Sequence, residues 1–198
     1  MKRCITLLSL GLCLVVPMLS QASDIKPLMH VTNVHNGQYD TALDAITDTK
    51  FYGPYQFRVL KNAIETQGET KDIDGRAFRT SDGVFMHVKA RSIDNGSASL
   101  DKDVKKIIND RTVPEPTVKM VLPVEHDVIE VNNDGVRSLL AEFMYGWPLK
   151  NRTDMVLVTD YEDTRYYYNL QFYRDKLPEG IRIEQLRQMI MDAQFSYK

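Results

Sequence analysis

Four histidines, His30, His35, His87 and His126, are the residues of this chain best suited to hold a metal, with Asp40 or Asp127 as carboxylate companions. None of them stands four residues from another, the spacing that puts two imidazoles on one helical face. They read instead as ordinary surface or hydrogen-bonded histidines. Nucleophilic catalysis finds no Gly-x-Ser-x-Gly elbow, and the two cysteines, Cys4 and Cys13, both fall in the apolar leader. Asp72-Ile73-Asp74-Gly75 and Asn132-Asn133-Asp134-Gly135 hint at calcium loops but lack the ligand spacing and the distal glutamate. Both are read as turns, and no metal or cofactor is expected.

What remains is aromatic. Tyr161, Tyr167 and Tyr173, with Trp147 on the preceding loop, are spaced to bring large amphipathic side chains near Arg165 and Arg174. These residue types are enriched at the centres of protein interfaces. The chemistry expected of this set is therefore partner binding, on an exposed face of the terminal hairpin. If Tyr167 and Tyr173 lie beneath a helix, their role is core packing instead.

The elements that position these residues follow from periodicity. Met155, Leu157 and Thr159 alternate with Val156, Val158 and Asp160, and Glu162 to Thr164 form a polar turn. The next strand, from Arg165 to Tyr173, sets Tyr166, Tyr168, Leu170 and Phe172 on an inner face and Tyr167, Asn169, Gln171 and Tyr173 on the other. After Pro178 and Gly180 the period changes: Ile183, Leu186, Met189, Ile190 and Ala193 form the stripe of an amphipathic C-terminal helix. That stripe needs a sheet to cover.

Earlier in the chain, Ala42, Leu43 and Ile46 continue a helical pattern from Tyr39, which Gly53-Pro54 is expected to break, and Tyr55–Leu60 alternates as a strand. Short strands are expected at Arg76–Thr80 and Val84–Ile93, divided by the Asp82-Gly83 turn. Ser99 caps a helix carrying Leu100, Val104, Ile107 and Ile108 on one face. Prolines 114, 116 and 123 allow a short edge strand near Val118–Leu122. Val128–Val131 is strand-like, and the Asn132-Asn133-Asp134-Gly135 turn is of the kind that closes a hairpin. Val136–Tyr145 fits either a helix or the hairpin's second strand, and the turn before it favours the strand.

The front end sets the compartment. Lys2 and Arg3 precede an apolar run from Ile5 to Leu19, and Ser20-Gln21-Ala22 offers the small residues of a cleavage site before Ser23. Residues 1–22 are expected to be a cleavable signal peptide, and 23–198 a single domain of about 176 residues, periplasmic or secreted, soluble and without disulfides. Losing Lys2 and Arg3 leaves 23 basic residues against 27 acidic ones, a net charge of about −4. That balance argues against nucleic acid as a partner.

The order of elements, with Asp134-Gly135-Val136 opening a segment to Glu142-Phe143-Met144-Tyr145, the strand Asp163–Phe172 and a closing helix ending Ala193-Gln194-Phe195, resembles the Mog1/PsbP-like fold, including the DcrB-like bacterial envelope proteins. The resemblance implies an α+β protein with an antiparallel β-sheet flanked by helices, an α/β/α sandwich. It implies an adaptor, assembly factor or accessory subunit rather than an enzyme, and transfers no catalytic residue. The function expected is a non-enzymatic module that binds another envelope or secreted protein. The alternative is a carrier or sensor of a small apolar ligand held between sheet and terminal helix, and third a hydrolase whose site only the fold assembles.

Overall fold

A computed structural model of the chain describes residues 25–32, 34, 40–66, 75–113, 121–149 and 151–196. The expected signal segment 1–22 lies outside the described residues, as do His35, Tyr39 and most of the Asp72–Gly75 and Val118–Leu122 segments.

The protein is α+β and mostly sheet. Its strands are β1 (Met29–Thr32), β2 (Thr47–Tyr52), β3 (Tyr55–Leu60), β4 (Ile64–Glu65), β5 (Arg76–Arg79), β6 (Phe85–Ser92), β7 (Glu125–Asn133), β8 (Val136–Met144), β9 (Arg152–Tyr161), β10 (Thr164–Tyr173) and β11 (Gln194–Phe195). Three helices accompany them: α1 (Asp40–Ile46), α2 (Leu100–Thr112) and α3 (Ile183–Met191). Eight strands form one sheet in the order β1-β7-β8-β9-β10-β6-β5-β4, and β11-β3-β2 form a second.

The central four strands are a meander, and local chemistry explains it. Asp134 and Gly135 both take positive φ, 51° and 83°, which is the two-residue turn whose twist suits a hairpin. This turn pairs Asn133 with Val136 and carries the register through to Glu125 opposite Met144. Val136–Met144 is accordingly strand, not helix. Alternation then divides the sheet's side chains between two apolar clusters. Met155, Leu157, Tyr166, Tyr168, Leu170 and Phe172 join one, with Phe57 of β3 and Leu186, Met189 and Ile190 of α3. Val156, Val158 and Tyr167 join the other, with Leu100 and Val104 of α2.

Both longer helices start for identifiable reasons. The Ser99 hydroxyl accepts from the Lys102 N–H at the start of α2, and Asp101 and Asp103 lie in its first turn, where the helix dipole favours negative charge. At the start of α3 the Arg182 N–H donates to Gln185 Oε1 at 2.9 Å. Leu186, Met189 and Ile190 are fully buried, so side chains fill the space between α3 and the sheet at these positions.

Four expectations are corrected. The sheet is mixed, because β1 runs parallel to β7. The layer over one face is not helix alone: α3 shares it with the three-stranded sheet. The first helix ends at Ile46, not at Gly53-Pro54, which turns β2 back onto β3. The closing helix ends at Met191, and Gln194–Phe195 is a strand paired with β3.

Candidate functional site

Helix α2 lies over β8 and β9 and reaches Tyr167 of β10, leaving the rest of that face of β10, with β6 and β5, open beside it. Register determines what lines that open half. Tyr167 stands opposite Lys89, Asn169 opposite His87 and Gln171 opposite Phe85, while Arg79 stands opposite Phe85 on the next strand. These residues form a run of connected grooves. A cavity of about 370 Å³ lies between Phe85, His87, Asn169, Gln171 and the C-terminal turn of α2 at Arg111. A second, of about 300 Å³, shares Lys89 and Tyr167 and ends at Arg91 and Lys106. A third, of about 460 Å³, shares Phe85 and Gln171 and ends at Arg79, Arg152 and Tyr173.

Two ionic networks form the wall under α2. Asp103 accepts the Tyr167 hydroxyl at 2.6 Å and Arg91 Nη2 at 3.0 Å, and Arg165 Nη1 lies 3.5 Å away. Arg165 is 1 % exposed; its Nε and Nη2 bind Asp160 at 2.6 and 2.8 Å, and Nη2 also reaches the Ala98 carbonyl at 2.9 Å. Burial, and then the hydrogen bond to Asp103, push the Tyr167 hydroxyl up to about 12, so it stays a proton donor. At the other end Asp154, 2 % exposed, accepts Arg152 Nε and Nη2 at 2.6 and 2.7 Å and Arg111 Nη1 at 3.2 Å. Arg111 also lies over the Phe143 ring at 4.6 Å.

The six residues singled out from sequence are not brought together. Tyr167 and Tyr173 line the grooves, but Tyr167 is 8 % exposed and belongs to the cluster under α2. For it, the helix-covered alternative holds. Arg165 is buried beneath it, so neither offers a free surface. Tyr161 is on the opposite face, its ring stacked 3.9 Å from that of Phe195. Trp147, 90 % exposed, and Arg174, bound to the Asn151 and Tyr145 carbonyls, sit at the β8–β9 loop. Sequence reading weighed His87 only as a metal ligand and did not single out Phe85, Lys89 or Arg79; the signal for the first three was the strict alternation of β6, and Arg79 ends the neighbouring β5.

Among the described residues no group of three His, Cys, Asp or Glu side chains is arranged to hold a metal ion. His30, His87 and His126 stand on three different strands.

Comparison with known proteins adds to the architecture. No family model and no curated protein matches the sequence. Among solved structures, a cyanobacterial PsbP (CyanoP) from Synechocystis sp. PCC 6803 superposes with a TM-score of 0.53 at 15 % identity, over 77 % of this chain and 94 % of that one. The fold is Mog1/PsbP-like. A protein from Bacteroides thetaiotaomicron VPI-5482 gives a TM-score of 0.44 at 12 % identity, over 77 % of this chain and 49 % of that one. In this Mog1/PsbP-like fold the open half of the sheet is the concave feature that joins several cavities. No described helix is long and apolar enough to cross a membrane.

Proposed function

We propose that the chain is a non-enzymatic, extracytoplasmic protein-binding module, an adaptor or accessory subunit built as a sheet between α2 on one side and α3 with the small sheet on the other. The observation that carries the reading is the half-covered sheet. A face that α2 covers over β8, β9 and the Tyr167 end of β10 leaves the aromatic, basic and amide side chains of β6 and the rest of β10 lining a continuous concavity. Concave, mostly preformed surfaces with a few placed polar groups are where binding concentrates. The compartment rests on the signal-like residues 1–22, and the single unit of 23–198 on the shared sheet.

The test is photo-crosslinking in the producing cells, with a photoreactive residue at His87 or Asn169 and, as control, at exposed Glu184 in the first turn of α3. Protein-sized adducts from the groove positions alone are expected. Adducts of a few hundred daltons, with none of protein size, would replace the adaptor with a small-molecule carrier. Intact mass of the isolated protein, expected to begin at Ser23, checks the compartment.

A further inference from the structure

We propose that the open half of the sheet receives an extended acidic segment of a protein partner, its carboxylates at alternate positions. This rests on the protein-binding reading above and names what that surface recognises.

Charge is the first argument. The grooves are lined by six cations, Arg79, Lys89, Arg91, Lys106, Arg111 and Arg152, against two carboxylates, Asp103 and Asp110, with a third, Asp154, buried beneath Arg111 and Arg152. With Asp154 counted, the excess of three stands on a chain whose net charge is −2. The carboxylates are already engaged. Asp154 lies 2 % exposed beneath Arg111 and Arg152, Asp103 is 7 % exposed beneath Arg91, and Asp110 holds Lys106 at 2.6 Å. Lys89 and Arg79 have no carboxylate partner among the described residues. Their charges rest on aromatic rings instead, Lys89 Nζ 5.4 Å from the Tyr167 centroid and the Arg79 guanidinium 5.6 Å from that of Phe85. A cation held over a ring keeps its outer side for an anion.

Spacing is the second. Phe85, His87, Lys89 and Arg91 share one face of a strand, so their side chains recur at roughly 6.7 Å over a length of roughly 20 Å. Alternate side chains of an extended peptide recur at the same interval. Six or seven residues would span from Arg91 to the Arg79–Arg152 end.

The third argument is the floor. Asn169 and Gln171 lie half-buried between the cations, and neither amide has a hydrogen-bond partner among the described residues. Each offers two donors and an acceptor, the complement of a peptide group. A lipid headgroup would use the cations and leave these amides idle.

The experiment uses the protein isolated from its own cells and two fluorescent eight-residue peptides of identical composition. One alternates Glu with Thr; the other has its four Glu in a block. Anisotropy at physiological salt is expected to show tighter binding of the alternating peptide. Arg79→Glu with Lys89→Glu is expected to weaken it by about tenfold or more, as for charges facing across an interface. Lys61→Glu with Lys102→Glu, the same charge change at exposed positions outside the grooves, is expected to leave it unchanged. Equal binding of the two peptides would overturn the spacing argument. Preference for vesicles with one-third anionic lipid over both peptides would overturn the peptide itself. If the groove-specific protein adducts persist in the Arg79/Lys89 variant, this inference falls and the adaptor reading stands; if they never form, both fall.

Discussion

The two faces of the large sheet are built on opposite plans. The face toward α3 and the small sheet is dry and aromatic: Tyr55 stacks on Tyr166 at 4.9 Å, Phe57 meets Phe78 and Tyr168 edge-on at 5.9 and 5.6 Å, and Leu186, Met189 and Ile190 close over them. The face toward α2 buries a smaller cluster and surrounds it with charge, through Asp103 with Arg165 and Asp154 with Arg111 and Arg152. Apolar burial is worth stability wherever it occurs, whereas ion pairs lose in desolvation much of what they gain in attraction. Stability is thus concentrated on one face, and the other is left free to carry recognition.

Substitutions break or sharpen that contrast. The largest effect is expected on the dry face, where Phe172→Ala, at a position 1 % exposed, should cost about 3–5 kcal/mol in urea unfolding. A loss below 1 kcal/mol would mean the face is not close-packed. Next comes Arg165→Met, which strips the cation from Asp160 and Asp103. Removing one partner of a buried pair is expensive, but Asp160 is 30 % exposed and regains water, so about 2–3 kcal/mol is expected in the same assay.

Tyr167→Phe removes one hydrogen bond to a carboxylate and should cost about 1.5 kcal/mol. It also has a pH signature. The folded hydroxyl sits at about 12 against an ordinary 10, so the fold prefers the protonated form. Stability from this group is intact below pH 10 and is lost as pH climbs from 10 towards 12. Thermal melts of the Phe variant should fall less steeply through that window than those of the parent; parallel curves would remove the bond. Smallest of all, Arg79→Glu with Lys89→Glu should leave the unfolding midpoint within about 0.5 kcal/mol of the parent, while acting on peptide binding. A large loss of stability there would erase the division between the faces.

Much of this plan was legible in the chain. The alternation of Arg165–Tyr173 assigned Tyr166, Tyr168, Leu170 and Phe172 to the inner face, and they are buried there. Ser99 marked the start of α2 and Asp134-Gly135 the hairpin. Strand β2 was not legible because Thr47–Tyr52 is an edge with mostly polar, exposed positions. Periodicity has nothing to register there. Two-residue β11 pairs with β3 and is too short to show a period. The candidate site failed for a different reason. A charged residue on a strand suggests solvent, and nothing near Arg165 or Tyr167 announces Asp103, 64 residues upstream of the tyrosine. Which half of a face a helix covers is decided by tertiary packing.

The pairing of β3 with β11 bears on the order in which the chain is made. Ser196 N–H reaches the Pro54 carbonyl across 142 residues, and β3 cannot complete its sheet until that far segment arrives. A chain emerging N-terminus first at roughly 5–20 residues per second presents Tyr55, Phe57 and Val59 for on the order of ten seconds before their last neighbour appears. During that interval an alternating, aromatic strand has an unfilled edge. The newborn protein is therefore most open to mispairing early in its length, and a holding factor acting on it would be expected to grip Tyr55–Leu60.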